Sequence, residues 1–173
     1  MHWLVTILLL FSWNAFSKTE AFVSEGKNYV LTYPEGWISK IDLLDIPITV
    51  LGPMVKDYRP LIAIVPTGLT NKMIPESEYP KVFAEFKSHK EAWVNKHSGK
   101  LVKYDPTTMV SLRPDLKGHF IGAEFIINQI HYIERSYYLY CSGQLINIKY
   151  SLRDELRSTI PVLEKIAGSL KCL

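Results

Sequence analysis

The apolar positions of this chain follow three rhythms. The first is an unbroken run near the start, Trp3 to Phe16, with no charged side chain before Lys18. The second is a set of short runs closed by proline or glycine. Tyr29 to Tyr33 (Tyr-Val-Leu-Thr-Tyr) is β-branched and aromatic, which predicts a strand, and Pro34-Glu35-Gly36 stops it with turn chemistry. Ile46 to Leu51 predicts another strand, ended by Gly52-Pro53. Leu61 to Val65 is wholly apolar, which predicts a central strand covered on both faces. Pro66 to Pro75 is a polar loop.

The third rhythm repeats every three or four positions. Tyr79, Val82, Phe83, Phe86, Trp93 and Val94 form one apolar stripe and predict a helix from Glu78 to Ser98. Ser77 is the expected N-cap, Pro80 suits the first turn, and Gly99 suits the left-handed position past the end. Lys81, Lys87, Lys90 and Lys96 are expected on solvated faces. A meander should follow. Leu101 to Tyr104 and Thr108 to Leu112 read as short extended pieces around Pro106. His119 to Asn128 and Tyr132 to Cys141 read as paired strands, and Ser142-Gly143 as a two-residue hairpin turn. Gln144 to Tyr150 is the last expected strand. There Ile146, Ile148 and Tyr150 alternate with Asn147 and Lys149, so one face should be buried. Thr159 to Leu170 predicts a closing helix with Pro161 in its first turn and Val162, Leu163, Ile166 and Leu170 on its apolar side. The order of elements gives one α+β domain.

The opening run is too short to span a membrane as a helix. About 14 residues rise ~21 Å, against a hydrocarbon core of roughly 30 Å. That length fits the apolar region of a signal peptide, with small residues for cleavage after Ser17 or Ala21. The n-region lacks Lys and Arg, so an uncleaved short anchor is the other reading. The expected division is residues 1–17 as signal peptide, 18–28 as an N-terminal arm, and 29–173 as a single domain.

Composition narrows the class. The chain has 173 residues, 47% hydrophobic and 21% charged, which is globular rather than disordered. Ten Tyr and four Trp favour strands and aromatic packing. A net charge of +3 without a clustered basic face argues against nucleic acid as a partner.

Particular residues add a resemblance. The stretch Tyr29-Val-Leu-Thr-Tyr-Pro-Glu-Gly-Trp37 resembles the opening strand and Tyr-Pro-x-Gly-Trp turn of PsbP-like proteins. Ile48 to Pro53 and Leu61 to Val65 are similar to the strands that follow in that family. The aromatic meander from Gly118 to Tyr150 and the final helix ending in Ser169-Leu170 extend the likeness over most of the chain after the leader. The resemblance implies an α/β/α sandwich with a central, mostly antiparallel sheet. The family includes extrinsic subunits of photosystem II, a Ran-binding nuclear-import factor and exported bacterial proteins, and its characterised members are mostly adaptors. The matched positions are scaffold, so no ligand or partner residues carry over. Trp37 reads as a core residue after the turn, or else as an interface aromatic.

The candidate chemistry is sparse. Cys141 and Cys172 are the only cysteines, and an even count in an oxidising compartment invites pairing. A disulfide would pin the C-terminus to the sheet and stabilise the fold by about 3–4 kcal/mol; two buried or unpaired thiols are the alternative. His89 and His97 lie two turns apart on the long helix, and His119 and His131 could come together in the meander, but no zinc spacing is present. Ser136 and Ser151 lack elbow glycines, and Gly68 lacks the companions of a phosphate loop. Glu124 and Glu134 could face each other across the hairpin as paired carboxylates. Tyr132, Tyr138 and Tyr140 share one strand parity and, with Arg135 and Lys149, form a possible partner surface; a two-sided core is the plainer reading of the tyrosines.

These observations lead to an expectation: an exported, non-catalytic binding or adaptor module of the cell envelope, periplasmic or secreted. No cofactor, metal or catalytic residue is expected. The partner would be an envelope protein, with no nucleic acid bound and no stable membrane span after leader removal. The alternative is a carrier of a small apolar or anionic ligand in a pocket between sheet and helix.

Overall fold

A computed structural model of the chain describes residues 17–24, 26–70, 73–141 and 143–173, with backbone alone at 68–70. The apolar run from Trp3 to Phe16 and Ser142 of the expected hairpin turn lie outside the described residues. Those residues form β1 (Ser17–Ser24), β2 (Lys27–Pro34), β3 (Ile38–Leu43), β4 (Ile46–Leu51), β5 (Leu61–Thr70) and α1 (Tyr79–Lys96). They continue with β6 (Lys100–Arg113), β7 (Leu116–Ile127), β8 (Ile130–Cys141), β9 (Gln144–Arg153), α2 (Ile160–Ser169) and β10 (Lys171–Cys172).

Two antiparallel sheets organise the fold. The large one runs β3-β4-β5-β9-β8-β7-β6, and a small one runs β1-β2-β10. As the apolar Leu61 to Val65 run implies, β5 is an interior strand between β4 and β9. On one face of the large sheet, Ile62, Ile64, Ile148, Tyr150 and Leu139 join a single core with Leu163 and Ile166 of α2 and with Tyr29, Leu31 and Tyr33 of β2. On the other face α1 packs over β6 and β7. The layering is an α+β sandwich with a central antiparallel sheet, as expected.

The turns follow local chemistry. Gly36 takes a φ of 84° after Pro34, and Trp37 returns to the core at 7% exposure. β6 is one long edge strand rather than two short pieces. Pro106 sits at a break in its register with β7, between Asp105 and Thr108. An edge strand tolerates a residue without an N–H at such a bulge.

Other boundaries differ from expectation at the ends of α1. A 3₁₀ turn from Glu76 to Glu78 precedes it, and Ser77 lies inside that turn with no side-chain cap bond formed. At the other end Ser98, not Gly99, takes the positive φ, at 53°. Ser98 N–H donates to Asn95 O at 2.9 Å and Gly99 N–H to Val94 O at 2.9 Å, closing the helix in a Schellman arrangement. Gly99 is required instead by close packing, since a Cβ there would stand 2.7 Å from Ile126 O and 2.7 Å from Ile127 Cγ1. The segment 18–28 holds most of β1 and the turn into β2, and it is tied down through Glu20, which accepts hydrogen bonds from Tyr33 and Ser39 and pairs with Lys18.

Candidate functional site

Strand parity decides where the chemistry of the meander goes. On β8, Tyr132, Glu134, Ser136, Tyr138 and Tyr140 turn toward the α1 side, while Ile133, Arg135, Tyr137 and Leu139 turn toward the α2 side. Register carries this across the sheet: His119 lies opposite Tyr138, Ala123 opposite Glu134, and Lys149 opposite Ser136. Glu124 lies opposite Ile133 and therefore faces away from Glu134. The expected pair of facing carboxylates does not form. His119 and His131 are likewise on opposite faces, so they do not come together.

Between α1 and the sheet is an open cleft of about 690 Å³. Its helix wall is Val82, Phe86 and Trp93, and its sheet floor includes His119, Ile121, Ser136 and Leu145. The polar centre is an ion-paired triad. Lys90 Nζ lies 2.6 Å from Glu134 Oε1, and Lys149 Nζ lies 3.0 Å from Glu134 Oε2. Lys90 and Glu134 are both buried, at 9% and 6% exposure. Three rings line the Lys90 ammonium: Trp93 at 4.8 Å, Phe125 at 5.1 Å and Phe86 at 5.9 Å to the centroids. Burial pulls the Lys90 pKa below its ordinary value, and the attraction of Glu134 works against that shift.

Lys90 was expected on a solvated face, and its burial is a correction. The reason lies in helix geometry. Lys90 is four residues past Phe86 and four before Val94, so it fills the one gap in the apolar stripe. That gap was the available signal. What the pattern could not supply was a buried carboxylate on β8 to receive the charge.

Next to the triad is a second polar group. The His119 ring stacks on Tyr138 at 4.8 Å with 10° between planes, and Tyr79 tilts against it at 5.7 Å. Burial pulls the His119 pKa down and favours the neutral ring. Asn147 lies opposite Tyr138 on β9, and its Oδ1 has no partner among the described residues.

The residues of the expected partner surface are divided between the faces. Tyr138 and Lys149 both line the cleft. Tyr132 shares that face and stacks on Phe125 at 5.6 Å; Tyr140 shares it too and is half-buried. Arg135 does not join them. It points to the α2 side, donates to Glu164 Oε1 at 3.0 Å and lies over Phe120 at 5.6 Å. Tyr137 donates to the same Glu164 oxygen at 3.0 Å, so this cluster fastens α2 to the sheet. On that face Glu124 accepts from Arg157 at 3.0 Å and pairs with Lys103 at 3.1 Å. Burial raises the Glu124 pKa, the two cations outweigh it, and the net shift is downward. Cys141 and Cys172 are at bonding distance, with S–S 1.94 Å and Cα–Cα 5.7 Å. Among the described residues no group of three or more His, Cys, Asp or Glu could hold a metal, and no helix is long and apolar enough to cross a membrane.

No family model and no curated protein matches the chain. Its fold is similar to a solved one, that of cyanobacterial PsbP (CyanoP) from Synechocystis sp. PCC 6803. The two agree with a TM-score of 0.56 over 92% of this chain and 94% of that one, at 12% sequence identity. The fold is therefore PsbP-like, in agreement with the sequence resemblance.

Proposed function

We propose that the domain is an exported, non-catalytic binding module and that the cleft between α1 and the sheet is its binding surface. One observation carries this reading: the ionisable groups at the centre of the cleft are committed to one another. Glu134 is clasped by Lys90 and Lys149, so it is a poor general base. His119 is held by aromatic faces, and among the described residues no carboxylate orients it. A concave surface of this size with an apolar wall and few polar groups suits capture rather than turnover. The PsbP-like fold supports the same reading, because the family it resembles is mostly adaptors. Export is supported by the apolar run at Trp3 to Phe16 and by a cysteine pair suited to an oxidising compartment.

The adaptor form of the reading places an envelope protein on the cleft rim, over Tyr138, Trp93 and Lys149. The carrier form places a small ligand inside, and the volume beneath α1 favours it. Affinity capture from envelope extracts tests the module. Wild-type protein should retain a partner or ligand that a Val82→Trp variant, with its cleft filled, releases. Equal capture by both would remove the cleft from the function, and measurable turnover without any bound partner would make the domain an enzyme. N-terminal sequencing of the exported protein tests the leader. Lys18 is the expected first residue, because cleavage after Ala21 would delete Glu20 and cut β1 in half; an intact Met1 would refute removal.

A further inference from the structure

The floor of the cleft has a chemical bias. One carboxylate, Glu134, faces two ammonium groups, which leaves a positive charge beside apolar walls. Glu85 and His89 also line the cleft on α1, and both are exposed, so water screens them. Lys90 is enclosed by rings, but the Lys149 side chain is 44% exposed, and among the described residues only its bond to Glu134 is formed. An ammonium has three donors, so Lys149 keeps two for a ligand. Tyr138 lines the cleft, and its hydroxyl carries an O–H that can donate. His119 in its neutral form keeps a ring N–H and makes only ring contacts among the described residues.

These donors stand on one patch of sheet. His119 is opposite Tyr138, and Lys149 is two residues along from the Asn147 that faces Tyr138. His119 and Tyr138 are facing neighbours and Tyr138 and Lys149 diagonal ones, each pair roughly 5–8 Å apart, so a carboxylate seated over Tyr138 can reach either side with an oxygen or through a bridging water. Asn147 Oδ1, on the same face, is an acceptor without a partner among the described residues. Beyond the patch, Val82, Phe86, Ile121 and Leu145 offer an apolar slot. Donors at one end and hydrocarbon along the other match an amphipathic anion.

We propose that the cleft binds a small free amphipathic carboxylic acid, with the carboxylate on Lys149, Tyr138 and His119 and the hydrocarbon beneath α1. This deepens the binding-module reading and rests on it. The test is calorimetric titration of the purified full chain with decanoate, decanol and decyltrimethylammonium, which share one chain length and differ in charge. Decanoate should bind at least tenfold more tightly than the other two. Lys149→Gln should weaken decanoate at least tenfold and leave decanol unchanged, and Lys149→Arg, which keeps the charge, should retain most of the affinity. Circular dichroism of each variant confirms that it folds. Phosphatidylglycerol vesicles should neither bind nor compete; vesicle binding in place of decanoate binding would overturn a free acid in favour of a lipid surface. Equal affinity for the three probes, or indifference to Lys149→Gln, would overturn the anion and leave the binding module standing. Silence from all three would also overturn the inference, and the module would then be judged by the capture experiment.

Discussion

A lysine on the apolar stripe of a helix can reach past its neighbours to water or be paired where it lies. Lys90 is paired, and the pairing makes its removal asymmetric. Lys90→Met would leave Glu134 buried with only the half-exposed Lys149, at a cost of about 2–3 kcal/mol. Lys90→Met combined with Glu134→Gln should recover at least half of that loss, and urea denaturation of the two variants measures the difference. His119 is decided by its surroundings in another way. Its folded pKa lies below the ordinary 6.5 because burial disfavours the imidazolium. The unfolded chain then binds the extra proton, so the stability His119 contributes is present above pH 6.5 and is lost as pH falls through and below that value. A His119→Phe variant should lose less melting temperature than wild type between pH 7.5 and pH 5. Equal slopes would mean that the ring is already solvated in the folded state.

At the scale of elements, the strong periodic segments were legible and the weak ones were not. α1, β4 and the alternating β9 bury enough of their own side chains to show in the pattern. β1, β3 and β10 do not. β1 is polar and buries only Phe22 well, β3 exposes Ile38 and Ile41, and β10 is two residues long. Such strands exist because a partner supplies their hydrogen bonds, and pattern along one segment carries no record of its partner. The end of α1 teaches the same lesson at one turn. Gly99 looked like the left-handed residue, but Ser98 takes that conformation and Gly99 is reserved for contact with β7. Ser98→Gly should therefore stabilise by up to about 1 kcal/mol, and Gly99→Ala should destabilise by about 1–3 kcal/mol. Chemical denaturation of the two variants checks both signs.

For the whole molecule, the Cys141–Cys172 link joins the end of β8 in the large sheet to β10 in the small one. With a sequence separation of 31, opening it should cost about 3–4 kcal/mol, or roughly 10 °C in melting temperature. Cys172→Ala should show that loss, with faster amide exchange through the core and exchange by local opening added at β10 and the adjoining part of β2. The two layers on the sheet differ in kind: α2 and the small sheet close the core, while α1 covers only the β6–β7 end of the other face and leaves the cleft. That division could not be read from sequence. The chain alone determined the apolar run from Trp3 to Phe16, its α+β composition, the two amphipathic helices and the buried face of β9, because these depend on the order of near neighbours. Tertiary structure alone decided that Glu134 and not Glu124 meets Lys90, that Arg135 parts from Tyr138, and that His119 stacks on Tyr138. Those outcomes depend on strand register, in which a shift of one residue moves a side chain to the opposite face of the sheet.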